Sequence, residues 1–372
     1  MTIFHIYREK SHLLIKYIVV KLKCKIIFME KIMYGFKRTD YDKKVYEEEL
    51  FDFLPDKIVD THTHVFLPEH RIEKKGGKNT WTNYVYDECS IEDLEQTYLD
   101  MYPGKKTIPV IFGTPSGHVP ESNAYISKVG KEKGYPTLFM NRFIDSAEFV
   151  EEQVIKGGFQ GLKPYLNSCN PAVKGSDAEI FDFLPEEHLK VCDKHGWKVV
   201  LHISKDDRLK NPTNIKQLIE IEQKYPSVKL IVAHIGRAYS PEDLGDALET
   251  LQKNTKNMMF DFCANTFSYA IEKCIGLMGS KRVLFGTDMP ISKMRMYRIS
   301  ENGNYVNVVP RGMYGDVTGD IHMRETDEKN VTNFTYETLR AFKKAAQNLS
   351  LSKEDVDNIM WKNATELYGI KF

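Results

Sequence analysis

The chain has 372 residues, 42% of them hydrophobic, and its 52 basic residues balance 52 acidic ones. This length fits two ordinary domains or one large α/β barrel. Because the net charge is zero, no general electrostatic field attracts nucleic acid or an anionic membrane. Small molecules are therefore the predicted partners.

Residues 1–45 are predicted to be an N-terminal extension. The stretch from His12 to Met33 is apolar in patches, but it is interrupted by Lys16, Lys21, Lys23, Lys25 and Lys31. A membrane-spanning helix needs about 20 mostly apolar residues, so this stretch is not predicted to cross a membrane, although a membrane-surface helix stays open. We expect a poorly ordered extension, or a translation start placed upstream of a true one at Met29 or Met33.

The six cysteines are widely spaced, form no C-x-x-C pair and follow no secretory leader. This usage is typical of free thiols in a reducing compartment. We therefore expect a cytoplasmic protein.

Residues 46–372 alternate short apolar runs with longer amphipathic segments, which is typical of βα units around a parallel sheet. Eight strands are predicted, at Lys57–His62, Lys106–Phe112, Thr137–Phe143, Gly161–Tyr165, Lys198–Ile203, Lys229–His234, Met258–Phe262 and Arg282–Gly286. Helices are predicted between and after them, at Ile91–Met101, Ser122–Lys133, Ala147–Lys156, Glu186–His195, Asn214–Tyr225, Pro241–Asn254, Ser268–Met278, Tyr336–Asn348 and Lys353–Tyr368. Eight such units predict a TIM-type (β/α)8 barrel.

Two connections are unusually long: Val65 to Ser90 after the first predicted strand, and Pro290 to about Asn333 after the eighth. Connections of this length inside compact domains tend to be functional or disordered. Both leave the C-terminal ends of strands, where a barrel builds its active site. We expect them to form lids or substrate walls.

Metal-ligating side chains occur where several predicted strands end. His62 and His64 are two residues apart in a strand, so their side chains point to the same side. His202, His234 and Asp288 each follow another apolar run. Imidazole and carboxylate ligands together suit a divalent ion, most of all Zn²⁺, with Mn²⁺ or another divalent ion as the alternative.

These residues carry a family resemblance. The motifs Asp60-Thr61-His62-Thr63-His64, Leu201-His202, Ala233-His234-Ile235-Gly236, Leu284-Phe285-Gly286-Thr287-Asp288-Met289-Pro290 and Asn363-Ala364-Thr365-Glu366-Leu367-Tyr368-Gly369 resemble the amidohydrolase superfamily. More narrowly, the chain is similar to the amidohydrolase-related branch that includes aminocarboxymuconate semialdehyde decarboxylase. The resemblance implies metal ligands at His62, His64, His202 and Asp288, a catalytic His234, and a homodimer.

Asp288 and His234 are the predicted catalytic residues. In the predicted chemistry a metal-bound water attacks the substrate, Asp288 takes its proton, and His234 holds the developing oxyanion or shuttles protons. Asp60 is predicted to support the ligands rather than to bind metal.

Lys163 and Arg237 are the predicted substrate-binding residues. Lys163 closes the fourth predicted strand, and Arg237 lies three residues beyond His234. A lysine in the position of Lys163 is carboxylated and bridges two metals in binuclear members of the superfamily. The prediction favours one metal per chain, with Lys163 and Arg237 binding substrate anions.

Two reactions fit this site. The first is hydrolysis of an amide, lactone or ester bond in a small anionic substrate. The alternative is non-oxidative decarboxylation of an aromatic or unsaturated carboxylic acid. A non-catalytic metal-binding barrel is a third interpretation, which the presence of both Asp288 and His234 disfavours.

Overall fold

A computed structural model of the chain describes residues 35–72, 81–85 and 89–372. Most of the predicted N-terminal extension, residues 1–34, lies outside the described residues. So do residues 73–80 and 86–88 of the first long connection.

The described chain is an α/β structure with parallel sheets, as predicted. Its strands are β1 Lys57–His64, β2 Lys106–Phe112, β3 Gly161–Leu162, β4 Lys198–Leu201, β5 Lys229–Val232, β6 Met259–Asp261, β7 Val283–Leu284, β8 Tyr297–Glu301, β9 Asn304–Pro310 and β10 Met323–Thr326. β1 pairs with β2, and β3 to β7 pair in sequence order, all in parallel.

Further hydrogen bonds connect these two parallel sheets. The predicted third strand is reduced to bridges, in which Thr137 pairs with Ile111 and Phe139 pairs with Leu162. On the other side, the Thr61 N–H donates to the Phe285 carbonyl at 3.0 Å. Parallel contacts therefore run from β1 through β2 to β7 and back to β1.

Helices separate most of these strands. They are α1 Asp40–Lys44, α2 Ile91–Met101, α3 Val119–Lys133, α4 Ala147–Gly157, α5 Glu186–His195, α6 Pro212–Lys224, α7 His234–Arg237, α8 Pro241–Leu244, α9 Ala247–Asn254, α10 Ser268–Met278, α11 Phe334–Asn348, α12 Lys353–Asp357 and α13 Asn363–Tyr368. The single helix predicted over 241–254 is broken, because Gly245 has φ +50° and ψ −133°, which no helix accommodates. The last helix ends at Gly369 in the left-handed conformation, as its sequence predicts.

The hydrophobic core forms two layers that follow the alternation of side chains along the strands. One cluster includes Val59, Val110, Leu138, Val200, Ile231 and Leu284. The residues next to them face a larger cluster that includes the helices; they are Ile58, Ile111, Phe139, Val199, Leu230 and Val283. Successive residues of each strand are therefore buried on opposite faces. This pattern is typical of parallel strands that have an inner layer of side chains on one face and a layer of helices on the other.

The long connection from Pro290 to Asn333 contains a second sheet, in the order β10-β9-β8, with β8 and β9 antiparallel. Residues 35–45 pack next to the start of β8, where buried Asp42 forms an ion pair with Arg295. In the described chain, no helix is both long enough and apolar enough to cross a bilayer.

Candidate metal centre

β1 delivers both of its histidines to one point. The parallel pairing of β1 with β2 shifts register between Asp60 and Thr63, a bulge that surrounds His62. His62 Nε2 lies 3.6 Å and His64 Nε2 lies 3.7 Å from the same oxygen, Oδ1 of Asp288. Two imidazole nitrogens and a carboxylate oxygen therefore converge, and the three side chains form a candidate ligand group.

The backbone that carries Asp288 is fixed by Asp60. The buried Asp60 carboxylate accepts hydrogen bonds from the Thr287 N–H at 2.8 Å and from the Thr287 hydroxyl at 2.6 Å. The Asp288 N–H donates to the His62 carbonyl at 2.8 Å, and Asp288 itself has φ +65°. Asp60 thus supports the residue beside the candidate ligand, the role that its sequence position predicts.

Close packing brings the eighth predicted strand onto His62. A Cβ added to Gly286 would lie 2.8 Å from His62 Cβ and 3.1 Å from Cys263 Cβ. Glycine is therefore required at this position for the backbone to approach the histidine.

The four histidines share one hydrogen-bonding pattern: Nδ1 of each faces an acceptor. The acceptors are Asp261 Oδ2 for His62 at 3.0 Å, the Gly113 carbonyl for His64 at 2.8 Å, the Ile203 carbonyl for His202 at 3.0 Å and the Cys263 carbonyl for His234 at 3.0 Å. An acceptor at Nδ1 fixes the proton there and leaves the lone pair on Nε2. That tautomer is the one in which Nε2 binds a metal.

Burial keeps the imidazoles neutral. It lowers the pKa of His64 and of His234 to about 3, with the charge of Lys163 adding to the effect. Burial also lowers the pKa of His62 and His202 well below the ordinary value of 6.5. Neutral imidazole is the form that binds metal ions.

His202 and His234 lie beside this group. The His234 ring is 4.9 Å from the His62 ring and 5.3 Å from the His202 ring, centroid to centroid. His202 also packs against Tyr165 at 5.1 Å. All five predicted residues are thus brought together, with His62, His64 and Asp288 as the tightest group and His202 on its outer side.

His234 begins a strained turn. Residues 234–237 all have φ between +50° and +61°, a left-handed turn that includes the β-branched Ile235. Non-glycine residues in this region cost about 1–3 kcal/mol each and occur most often at functional sites. The turn is held by the His234 N–H, which donates to Asp261 Oδ1 at 2.8 Å.

Asp261 and Cys263 are functional candidates that the sequence reasoning missed. Asp261 is fully buried and contacts both His62 and His234, and the Cys263 sulfur lies 3.1 Å from Nδ1 of each histidine. His62, His234 and Cys263 form a second candidate ligand group. The signal for Asp261 was a carboxylate inside the otherwise apolar run Met258–Phe262, because a charge in a buried strand requires a partner.

Lys163 lies inside the same cluster. Its Nζ is buried, stands 5.3 Å from the Phe112 ring centre and 5.5 Å from the Tyr165 ring centre, and has no hydrogen-bond acceptor among the described residues. Burial lowers the pKa of Lys163, while the nearby Asp261 and Asp288 oppose that change. Arg237, by contrast, is partly exposed and donates to the Ser204 carbonyl at 3.1 Å.

The residues fit a divalent cation. His62 Nε2 is buried and has no hydrogen-bond partner in the described chain, although it points to the shared Asp288 oxygen. Burial also raises the pKa of Asp288 well above its ordinary value, with Lys163 opposing the rise. A cation would stabilise the carboxylate and use the orphaned nitrogen lone pair.

Parallel strands with histidines and a carboxylate at their C-terminal ends define a class of α/β metalloenzymes. A family model described as amidohydrolase matches residues 130–370, more than half of the chain. The protein belongs to the amidohydrolase family. The matched region contains His202, His234 and Asp288 but begins after the β1 histidines. A comparison with curated proteins finds no match.

Solved structures share the fold at low sequence identity. An amidohydrolase from Burkholderia multivorans, with bound HEPES, is 10% identical, with a TM-score of 0.56 over 84% of this chain and 99% of its own. A 5-carboxyvanillate decarboxylase from Sphingomonas paucimobilis is 11% identical, with a TM-score of 0.51 over 85% of this chain and 100% of its own. A second 5-carboxyvanillate decarboxylase, from Novosphingobium aromaticivorans and with bound manganese, is 12% identical, with a TM-score of 0.50 over 84% of this chain and 97% of its own.

Proposed function

We propose that the protein is a metal-dependent hydrolase that cleaves an amide, lactone or ester bond of a small anionic substrate. The proposed metal ligands are His62, His64, His202 and Asp288, and His234 and Asp288 are the proposed catalytic residues. The observation that carries the proposal is the convergence of His62 Nε2 and His64 Nε2 on one oxygen of Asp288, at 3.6 and 3.7 Å.

We also propose that β1, β2, the bridged segment at Thr137–Phe139 and β3 to β7 form a closed (β/α)8 barrel. The hydrogen bonds that return to β1 and the two-layered core support this architecture. In such a barrel the C-terminal ends of the strands surround one mouth. The two long connections would then form its walls.

The proposed role of each catalytic residue follows from its surroundings. A divalent ion supplies Lewis-acid activation of water and of a substrate oxygen when it is bound. Asp288 is partly exposed, so its carboxylate can exchange protons with a reacting group. His234 is oriented through its Nδ1, which leaves Nε2 to contact a developing oxyanion or a proton in transfer.

One Zn²⁺ per chain is the proposed cofactor, with Mn²⁺ as the alternative. Nitrogen-rich ligands with one carboxylate favour zinc, whereas the manganese in the Novosphingobium decarboxylase supports the alternative. Lys163 and Arg237 are proposed to bind substrate anions. Homodimer formation and a cytoplasmic location stay predictions from the sequence.

Decarboxylation of an aromatic or unsaturated acid is the second candidate. The similarity to two 5-carboxyvanillate decarboxylases supports it, as does the buried Lys163 ammonium, which has no carboxylate partner among the described residues. An ammonium in this position could hold the carboxylate or phenolate oxygen of an aromatic acid.

Metal analysis followed by paired assays tests the proposal. Elemental analysis of the purified full-length protein should find about one divalent ion per chain. Panels of amides, lactones and esters, and of carboxylated phenols with carbon dioxide detection, then separate the two reactions. Asp288→Asn should abolish turnover, whereas Asp246→Asn, at an exposed carboxylate, should not. Carbon dioxide release without hydrolysis would favour the second candidate, and a metal-free active protein would refute both.

A further inference from the structure

A cluster of arginines and tyrosines lies between the second sheet and the candidate metal centre. Arg298 of β8 lies against three rings, with its guanidinium carbon 4.5 Å from the Tyr239 ring centre, 4.7 Å from the Tyr305 ring centre and 4.9 Å from the Phe334 ring centre. Arg208 lies 4.8 Å from the Tyr305 ring centre on the same cluster. Aromatic faces hold both guanidinium groups in place without neutralising them.

This cluster adjoins the candidate metal centre. The Tyr239 ring centre is 6.4 Å from that of His234. Arg298 Nη1 donates to the Ala264 carbonyl at 3.2 Å, one residue after Cys263, whose sulfur contacts His62 and His234. A small molecule held at Asp288 could therefore extend to this cluster.

The residues between the two groups are accessible. Asp288, Tyr239, Tyr305 and Arg298 are all partly exposed, whereas His62, His64 and Lys163 are buried. The partly exposed side chains are the first that an entering substrate meets, so they delimit the route to the buried residues of the metal centre.

Positive charge is in excess in this cluster. Among the described residues, the carboxylate that pairs with this cluster is Asp243, whose Oδ1 accepts a hydrogen bond from Arg208 Nη1 at 2.6 Å. Its other oxygen accepts the backbone N–H groups of Tyr239 at 3.0 Å and Ser240 at 2.9 Å. Asp243 is thus fully engaged, and it neutralises Arg208 but not Arg298.

Arg298 has an unused donor. Its Nε donates to Asn307 Oδ1 at 2.9 Å and its Nη1 to the Ala264 carbonyl, both neutral acceptors. Within residues 35–72, 81–85 and 89–372, no carboxylate forms an ion pair with Arg298 and Nη2 has no hydrogen-bond acceptor. Nε of the buried Arg208 also lacks a partner in the same part of the chain. Buried polar groups are nearly always paired, so Arg208 Nε indicates a missing acceptor, and Nη2 of the partly exposed Arg298 is a donor without a protein acceptor that a ligand can use.

The pKa of Arg298 agrees with this picture. Burial lowers it from the ordinary value of 12.5, and the neighbouring charge of Arg208 acts in the same direction. A guanidinium nevertheless stays protonated in proteins, so the unfavourable environment is relieved by an anion rather than by loss of a proton.

We infer that Arg298 is a specificity-determining residue that binds a carboxylate of the substrate at a distance from the bond that reacts. This inference rests on the proposed function, because it places the carboxylate on a molecule held at the metal centre. The substrate class is then a small carboxylic acid whose planar part packs against Tyr239. A guanidinium on a rigid aromatic support matches the geometry of a carboxylate.

Isothermal titration of the metal-loaded, full-length protein with isophthalate, a planar dicarboxylate, tests the inference. Arg298→Ala should raise the dissociation constant at least tenfold, and Arg298→Lys should raise it less. The control is Arg311→Ala, in the same long connection, where an exposed arginine already pairs with Glu325 and Asp327. Neutral isophthalamide should bind wild type and Arg298→Ala alike.

A purely structural role of Arg298 gives a different pattern. In that case Arg298→Ala would lower the melting temperature and weaken isophthalate and isophthalamide equally, which would overturn the inference. Unchanged isophthalate affinity in Arg298→Ala, or no binding by the wild type at millimolar concentration, would also overturn it. If Arg298→Ala does not fold, the comparison is made with Arg298→Lys.

Failure of the proposed function would show itself separately. Absence of turnover in the metal-loaded wild type would refute the proposed function, whereas the difference in isophthalate affinity between metal-loaded wild type and Arg298→Ala is measured without turnover. When a turned-over substrate is in hand, Arg298→Ala should raise KM for the acid more than for its neutral amide, with a smaller change in kcat.

Discussion

Asp261 Oδ2 lies 3.0 Å from Nδ1 of His62, and both side chains are buried. The carboxylate holds the proton of the imidazole on Nδ1, which directs the lone pair of Nε2 towards Asp288. The second oxygen of Asp261 accepts the His234 N–H at 2.8 Å. One carboxylate at the end of β6 therefore orients a proposed metal ligand and a proposed catalytic residue together.

Asp261→Asn should weaken metal binding by about 10–100-fold, because the amide can no longer fix both histidines with a charged acceptor. Competition with a chromophoric chelator measures the affinity, and thermal unfolding of the metal-free protein separates this effect from a loss of stability. Asp246→Asn, at an exposed aspartate, is the matched control. Equal affinities for the wild type and Asp261→Asn would show that Asp261 does not act through His62.

His62→Ala and His64→Ala should each lose bound metal and turnover together. Both Nε2 atoms lie within 3.7 Å of the same Asp288 oxygen, so either substitution removes one proposed metal ligand. Elemental analysis after dialysis measures the loss. His195→Ala, which removes a ring stacked on Trp197 at 4.7 Å, should keep its metal. Full occupancy in both β1 variants would refute the ligand assignment.

The pair formed by Asp42 and Arg295 should make stability depend on pH. Two hydrogen bonds, at 2.6 and 3.1 Å, join the guanidinium to the buried carboxylate, and Thr332 donates a third at 2.5 Å. Burial alone would raise the pKa of Asp42, but the hydrogen bonds and the charge of Arg295 outweigh it and lower the pKa below 3.8. A carboxylate whose pKa is lowered on folding stabilises the native state above its unfolded pKa.

Asp42→Asn should therefore reduce the free energy of unfolding by about 3 kcal/mol at pH 7, because it breaks a buried ion pair. The difference from wild type should persist down to about pH 4 and shrink below it, as the wild-type carboxylate becomes protonated. Urea unfolding between pH 7 and pH 3 measures it. Asp327→Asn, in an exposed pair with Arg311, should give no measurable change at any of these pH values. A constant difference between Asp42→Asn and wild type down to pH 3 would contradict this prediction.

The sequence was sufficient for the features that depend on local periodicity. Two histidines two residues apart in a strand have to share a side, and the alternation of apolar runs predicts the parallel α/β fold. The bridged segment at Thr137–Phe139 and the break at Gly245 were not predictable in this way, since the first depends on pairing with neighbouring strands and the second on the conformation of a single glycine.

Contacts between residues far apart in the chain could not be predicted from the sequence. Asp261 contacts His62 across a separation of 199 residues, and Arg298 contacts Ala264 from a long connection that contains three strands, none of which was predicted. The sequence of neither segment indicates which distant residue Asp261 or Arg298 will contact. The sequence predicts the candidate ligands because they lie at the ends of apolar runs. The residues that orient those ligands are identified only from contacts in the folded chain.

Lys163 provides the most discriminating test of the site. Its buried Nζ has no acceptor in the described chain, and an unsatisfied buried donor costs about 1–3 kcal/mol. Lys163→Met should therefore raise the melting temperature while it raises KM for anionic substrates at least tenfold, with about one metal ion per chain before and after the change. This is the pattern of a residue that binds substrate at the expense of stability.

A lysine that bridges two metal ions would behave differently. The wild type would then hold about two ions per chain, and Lys163→Ala would lose metal and recover it when short carboxylic acids replace the missing ligand. That result would refute the substrate-binding role and assign His202 and His234 to a second metal. A stabilised Lys163→Met variant with unchanged KM would instead identify Lys163 as a packing residue. Elemental analysis, thermal unfolding and steady-state kinetics on the same two variants separate these three outcomes.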